Sequence, residues 1–494
     1  MAIQKVCGIE TEYGIVLRGA AESNPIMASS LLINAYVNQL QRKVGWDFED
    51  ESPGRDARGF AREGAMAPEV ETHLVNAVLT NGARYYVDHA HPEFSTPECA
   101  DALQCVLYDK AGERILARSM VAAGNVLPPE QSVVIYKNNS DRKGNSYGTH
   151  ENYLMDRATP FGRIVQHLLP FFVTRQVFTG AGKVGSEVAS ASDVTFQLSQ
   201  RADFFEEEVG LETTLKRPIV NTRDEPHADA QKYRRLHVIV GDANLCEVAT
   251  YLKVGTLAIV LAMIEDDFAA DLDLALASPV QAIRRVSHDI SLTQTLELAN
   301  GKTMTALEIQ WEQLDLAKKY AETRGLEPVG DAVGRDVLDR WESVLSALEV
   351  DPMSLAGQLD WVAKYQLISA YRDRHGLEWS DPKLAAMDLQ YHDMRPERSL
   401  FAKLTTERLV DDDAVEEAMT EPPPDTRAYF RGKCLQRWST SIAAANWDSL
   451  VFDLGGDPLR RVPMMEPLRG TAAHVDTLLA DCSTPAELLE RLGS

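Results

Sequence analysis

Residues 81–98 read NGARYYVDHAHPEFSTPE, Asn81 to Glu98. Arg84 to Asp88 is rich in aromatic and β-branched residues, and a strand points alternate side chains to opposite faces. Arg84, Tyr86 and Asp88 therefore share one face, and the turn that follows brings Glu93 and Glu98 within reach of it. A cation, a phenol, several carboxylates and two histidines gather on that side. A purely structural strand seldom concentrates so much polarity, because each buried charge without a partner costs several kcal/mol.

Working outward, Gly8-Ile9-Glu10-Thr11-Glu12-Tyr13-Gly14 lies in a strand-like stretch, 3–17. Alternation puts Glu10 and Glu12 on the same side. Two parallel carboxylates repel unless a cation or proton sits between them, and hard oxygen ligands of this type suit Mg²⁺. The pair alone also fits a solvated strand face. Further along, Asn221 to Asp229 and Tyr233 to His237 concentrate cations and histidines beside the strand-like Val238 to Val240. Arginine forks recognise phosphates or carboxylates, and a neutral imidazole such as His237 completes a metal site or serves as a structural residue.

Three short patterns fail their context. Gly144-Asn145-Ser146-Tyr147-Gly148 spells a nucleophile elbow, but a turn-rich loop precedes it instead of an apolar strand. His150-Glu151-Asn152-Tyr153-Leu154 lacks the second histidine of a zinc protease helix. Gly180-Ala181-Gly182-Lys183 is preceded by Val177 and followed by Val184, where a phosphate loop needs Gly and Ser or Thr.

Composition narrows the class. Of 494 residues, 50 are basic and 74 acidic, a net charge of −24. That balance excludes a general polyanion-binding surface, so no nucleic-acid partner is expected, and any nucleotide must be held locally with a metal. Apolar residues at 45% and charged residues at 25% fit an ordinary globular chain. The cysteines at 7, 99, 105, 246, 434 and 482 form no Cys-x-x-Cys pair, which fits a reducing compartment. Glutamates interrupt the N-terminus before an apolar segment can form. The run Val254 to Ile264, bracketed by Lys253 and Glu265, falls short of the roughly 20 residues a bilayer requires. The expectation is a cytoplasmic protein with no membrane partner.

Apolar spacing predicts helices over 28–43, 161–178 (bent or interrupted at Pro170), 250–269, 305–324, 330–349 and 355–375, with strands at 84–88 and 133–137. Strands interspersed with helices indicate an α+β or mixed α/β fold. Residues 46 to about 68 mix both charge signs with Gly and Pro and show no period, which reads as a long exposed loop of functional significance. EPPPDTR, 421–427, marks the best boundary: a catalytic domain over 1–420 and a small C-terminal domain over 421–494.

Six blocks, in order, resemble one family: GIETEYG (8–14), NGARYYVDHAHPEFSTPEC (81–99), NNSDRKGNSYGTHENYL (138–154), VTRQVFTGAGKV (173–184), RPIVNTRDEPHADAQKYRRLHVIVGDAN (217–244) and TRAYFRG (426–432). They are similar to the glutamine-synthetase-like carboxylate-amine ligase superfamily, in the branch holding the Pup deamidase/depupylase and the Pup ligase. The resemblance implies an α+β fold, a curved antiparallel sheet packed with helices, plus a small C-terminal domain. It implies ATP and Mg²⁺ as cofactors. Pup and pupylated proteins would be the partners, with an indirect link to proteasome machinery. Matched residue by residue, Glu10, Tyr86 and Glu93 fall on magnesium positions, Glu12 and His237 on further metal positions. Arg84, Thr96 and Trp447 fall on nucleotide positions, as do His150 and Arg223 less directly. Asp88 falls on the catalytic aspartate, and Arg427 and Arg431 are candidates for phosphate or substrate carboxylate. WDFEDESPGRDARGF (46–60) resembles a depupylase insertion that the ligase lacks. The implied activity is deamidation of the C-terminal Gln of Pup and cleavage of the Pup–lysine isopeptide bond. The ligase, or a non-catalytic Pup-binding adaptor, are the alternatives.

Overall fold

The computed structural model describes residues 1–21, 24–40, 43–49, 51–59, 74–188, 191, 193–456 and 458–493. Residues 50 and 60–68 of the expected long loop lie outside them. The principal sheet has ten strands: β1 (Cys7–Glu12), β2 (Val44–Trp46), β3 (Asn76–Val78), β4 (Arg84–Asp88), β5 (His91–Ser95), β6 (Thr149–Asp156), β7 (Tyr233–Val238), β8 (Ile442–Ala445), β9 (Ser449–Phe452) and β10 (Arg460–Pro463). Their order across the sheet is β7-β6-β1-β5-β4-β3-β2-β8-β9-β10. Every pair is antiparallel except β2 with β8. The sheet curls into a half-barrel flanked by helices, the α+β arrangement expected.

Period 2 explains why β1 sits at its centre. Cys7, Ile9 and Thr11 are buried on the helix side, whereas Glu10 and Glu12 turn to the other face. The same alternation buries Glu151 and Tyr153 of β6 and leaves His150 and Asn152 beside the carboxylates. The helix Ala102–Gly124 packs on the apolar side, started by the Asp101 side chain accepting from the Gln104 amide at 2.9 Å. Close approach there requires glycine: a Cβ on Gly112 would stand 2.5 Å from the Phe94 ring. The apolar run 254–264 belongs to the helix Glu247–Glu265, which is enclosed by protein along its whole length. By length and composition alone it could cross a membrane, and it is the one such helix among the described residues. Its surroundings identify it as the central core helix.

Several boundaries move. The single strand expected over 3–17 divides at Tyr13 into β1 and Gly14–Arg18, the latter pairing with Ser132–Tyr136 in a separate sheet. The helix expected over 28–43 occupies Pro25–Val37, because the Asn24 side chain accepts from the Met27 amide and Pro25 opens the helix. The helix from Phe161 runs through Pro170 to Thr174 and breaks at Arg175, whose guanidinium is drawn to Glu151 at 2.6 Å. The later helices occupy Ala306–Arg324, Asp331–Val350 and Asp360–His375, close to expectation except that 355–359 precede the last.

Among the described residues, two large hydrophobic cores and a small cluster around Leu245, Ala363 and Tyr391 result. Of the two cores, the larger lies between the sheet and the central helices. The smaller joins Phe430, Leu435, Trp438, Ile442, Leu450 and Phe452 to Val44, Trp46 and Val78. The C-terminal strands thus extend the same sheet and bring Trp447 beside Trp46, ring centroids 5.2 Å apart.

Candidate active site

Register assembles the polar face. Glu12 pairs with Glu93 across β1–β5, and Glu93 pairs with Tyr86 across β5–β4. Glu10 pairs with His150 across β1–β6, and His237 arrives from β7. Two groups form: Glu10 with His150 and His237, and Glu12 with Asp88 and Glu93. Tyr86 donates to Glu93 at 2.6 Å, and the Gly148 amide donates to Glu12 at 2.8 Å.

In the first group, burial opposes ionisation of Glu10, but contacts with His150 and His237 outweigh it and hold the carboxylate well below its usual range. Burial pushes His237 down to about 3 and lowers His150, so both rings are neutral. A neutral imidazole carries one N–H. His237 Nδ1 lies 3.2 Å from Asn221 Oδ1, an oxygen identified as such because Asn221 Nδ2 faces backbone carbonyls and Oδ1 accepts from the Arg223 amide at 3.0 Å. Nε2 faces Glu10 Oε1 at 2.9 Å, so a single N–H has two oxygens to serve. With the proton on Nδ1, a cation lying against both Nε2 and Glu10 would satisfy the other side. A ring nitrogen freed for a metal by a carbonyl on the opposite nitrogen is the usual way histidine ligates.

The second group has the same need. Burial, then the charge of Asp88, pushes Glu12 up to about 8. Burial and the neighbouring Asp88, Glu10 and Glu12 push Glu93 well above its usual range. A divalent cation would replace those protons. Asp88 differs: burial opposes its ionisation, yet the hydrogen bond from His89 keeps it below its ordinary value. The cluster thus contains one carboxylate already ionised and close to several that require a cation.

Two spaces open beside these carboxylates. A cavity is bounded by Glu10, Thr96, His227, Arg235, Arg427 and Trp447. A broader trench is lined by Glu12, Asp88 and His150 and flanked by Arg142, Arg201 and Arg217. The cavity combines an indole face with guanidiniums beside the carboxylate groups, the chemistry of a nucleotide held through metal.

Thr96 and Trp447, expected at nucleotide positions, line that cavity. Arg84 lies between the Trp46 and Tyr86 rings, 3.9 Å from each centroid, and donates to Asn76 Oδ1 at 3.0 Å. His150 stands against Glu10, 3.3 Å from Nδ1 to Oε1, and lines the trench rather than the cavity. Arg223 bridges Asp56 through the backbone, so the start of the 46–68 segment docks beside the cavity strand. Arg427 lines the cavity, while Arg431 is wholly buried; both clamp Glu98. Sequence reasoning did not assign Asn152 or Arg235, although each stands two residues from a named histidine on the same strand face. Arg235 donates to Asn152 Oδ1 at 2.8 Å. Arg201, between turns far from any motif, carried no signal. Ser146 lies in a loop and Glu151 in a strand, consistent with neither serine-hydrolase nor zinc-helix context.

A curled antiparallel sheet whose open face carries this carboxylate and histidine array defines the glutamine-synthetase-like class of enzymes. The family described as Pup-ligase protein matches residues 5–451, and the chain belongs to it. It is 56% identical to the depupylase of Acidothermus cellulolyticus, with 99% of each chain covered, and 50% identical to the Pup deamidase/depupylase of Mycobacterium tuberculosis, again with 99% of each covered. Among solved structures it is similar to the complex between Pup and its ligase PafA, with TM-score 0.82 and 34% identity over 99% of this chain and 94% of that one. It is also similar to PafA in complex with ADP, with TM-score 0.74 and 38% identity over 82% of this chain and 89% of that one.

Proposed function

We propose that this protein is an ATP- and Mg²⁺-dependent amidohydrolase and isopeptidase acting on Pup: it converts a C-terminal Gln of Pup to Glu and cuts the isopeptide bond joining Pup to a substrate lysine. The single observation that carries the chemistry is Asp88, an ionised carboxylate in the trench wall, flanked by carboxylates that need a cation. Names of relatives 50–56% identical over essentially the whole chain favour hydrolysis over ligation.

Glu10, with His150 and His237, and Glu93, with Glu12 and Tyr86, are the groups suited to hold Mg²⁺. Thr96, Arg235 and Trp447 are placed for the nucleotide, with Arg84 bracing Trp46 behind it. Bound magnesium nucleotide would supply positive charge that polarises the amide carbonyl. The chain's own residues do the remainder. Arg201 and Arg217 attract a carboxylate-bearing peptide along the trench, and Asp88 acts on the side-chain amide carbon as nucleophile or as base toward water. We take residues 1–420 as the catalytic unit and 421–494 as the small C-terminal unit that supplies Trp447 and Arg427.

The test is incubation of the full chain with Gln-ended Pup, ATP and Mg²⁺, read by mass spectrometry. Hydrolysis raises the peptide mass by about one dalton through exchange of NH₂ for OH. Unchanged Pup, or conjugation with stoichiometric ADP release, refutes the reading. Single turnover in ¹⁸O-water then assigns the role of Asp88: attack by Asp88 leaves label in its carboxylate when the anhydride opens there, whereas direct water attack labels only Glu.

A further inference from the structure

The turn joining β4 to β5 consists of His89 and Ala90, since Asp88 and His91 are partners in register. So short a turn asks for left-handed backbone, and His89 adopts it with φ at 51°. L side chains rarely adopt such a backbone, and glycine or asparagine accepts it most readily. The strained position delivers the imidazole to the carboxylate: His89 Nδ1 lies 3.0 Å from Asp88 Oδ2. The ring stands in the trench wall with its side chain 60% exposed, beside the path an incoming amide takes. The other histidine of the turn is committed elsewhere. His91 Nδ1 meets the Tyr13 carbonyl at 3.0 Å, and its ring stacks on Tyr147 with centroids 4.3 Å apart. Opposite His89, ligand atoms of Asp88, Glu12 and Glu93 crowd within 4.8 Å of one another. On that side Asp88 faces other carboxyl groups, while the donor on the turn side holds one of its oxygens.

We propose that His89 is a positioning residue for amide hydrolysis: its Nδ1–H holds one oxygen of Asp88, leaving the other directed at the amide carbon brought along the trench. The inference rests on the hydrolase reading above. It needs only an N–H at that point and holds for a neutral ring.

Two variants separate this from a structural role. His89→Gly keeps the turn conformation and removes the donor. His89→Asn tolerates the left-handed backbone and places an amide N–H near the position of Nδ1. With Gln-ended Pup, ATP and Mg²⁺ and the full-length protein, His89→Gly is expected to lower kcat about 10- to 100-fold while KM stays within about twofold and Tm is unchanged, since misplacing a reacting group by about 1 Å costs up to about 100-fold. His89→Asn is expected to recover most of that loss. Wild-type kcat in His89→Gly, a loss confined to KM, or an Asn variant no better than Gly would each overturn the inference. Failure of the wild type to release the amide is a different result and overturns the hydrolase reading itself.

Discussion

Replacing Glu98 by Gln tests the joint between the sheet and the helix Ala428–Trp438. Glu98 Oε1 accepts from Arg427 Nε at 2.7 Å and from Arg431 Nη1 at 3.1 Å, and Oε2 pairs with Arg431 Nη2. Burial opposes ionisation of Glu98, but the charges of Arg431 and Arg427 overcome it and bring the carboxyl from 4.5 to about 2. That displacement corresponds to about 3 kcal/mol favouring the ionised, paired form at neutral pH. The sign follows from the depressed native value: the contribution is complete above about pH 4.5, shrinks as pH falls, about 2 kcal/mol remaining at pH 3.5, and is gone below about pH 2. Glu98→Gln removes this term at every pH and leaves two buried guanidiniums facing a neutral amide, a total loss at pH 7 of about 3–5 kcal/mol. Urea unfolding followed by tryptophan fluorescence reports the C-terminal core through Trp438 and Trp447. The expected result is a large loss in the variant at pH 7, with the gap to wild type narrowing by about 1 kcal/mol at pH 3.5. A gap that stays constant or widens on acidification would refute the reasoning.

Asp88→Asn is expected to abolish amide release while nucleotide affinity, measured by calorimetry, stays within about threefold; retained turnover removes Asp88 from the chemistry. Glu10→Ala takes the carboxylate from the group containing His150 and His237 and should raise the Mg²⁺ concentration needed for half-maximal activity by about tenfold or more. An unchanged magnesium titration would displace Glu10 from the site. Gly112→Ala improves helix propensity yet sets a methyl 2.5 Å from the Phe94 ring. It should destabilise the protein by about 1–3 kcal/mol, and a rise in Tm would show that the helix and β5 can separate without penalty.

The polar face was legible in the letters because strand periodicity is a local property. Alternation alone placed Glu10 with Glu12, and Arg84 with Tyr86 and Asp88, and both groupings occur in the fold. The described start of the expected loop at 46–68 is docked rather than exposed: Trp46 and Phe48 pack in the smaller core and buried Asp56 accepts from Thr222, anchors that the mixed composition of the run concealed. Boundaries set by caps were less legible. Asn24 and Pro25 start the first helix earlier than its apolar spacing suggests, and the bend assigned to Pro170 occurs at Arg175, where a buried ion pair with Glu151 prevails.

By itself the sequence determined which side chains share a strand face, how charged the chain is, and which family its blocks resemble. Only the tertiary structure decided which faces meet. Glu10 and His237 stand 227 positions apart and touch because β6 lies between their strands in one register. Arg427 and Arg431 turn inward to Glu98 rather than both lining the cavity, because their helix packs on the sheet. His89 reaches Asp88 only through a turn held left-handed by the hairpin around it. Periodicity sets a residue's direction along its own strand; its neighbours depend on strand order and register, which packing of the whole sheet against its helices selects.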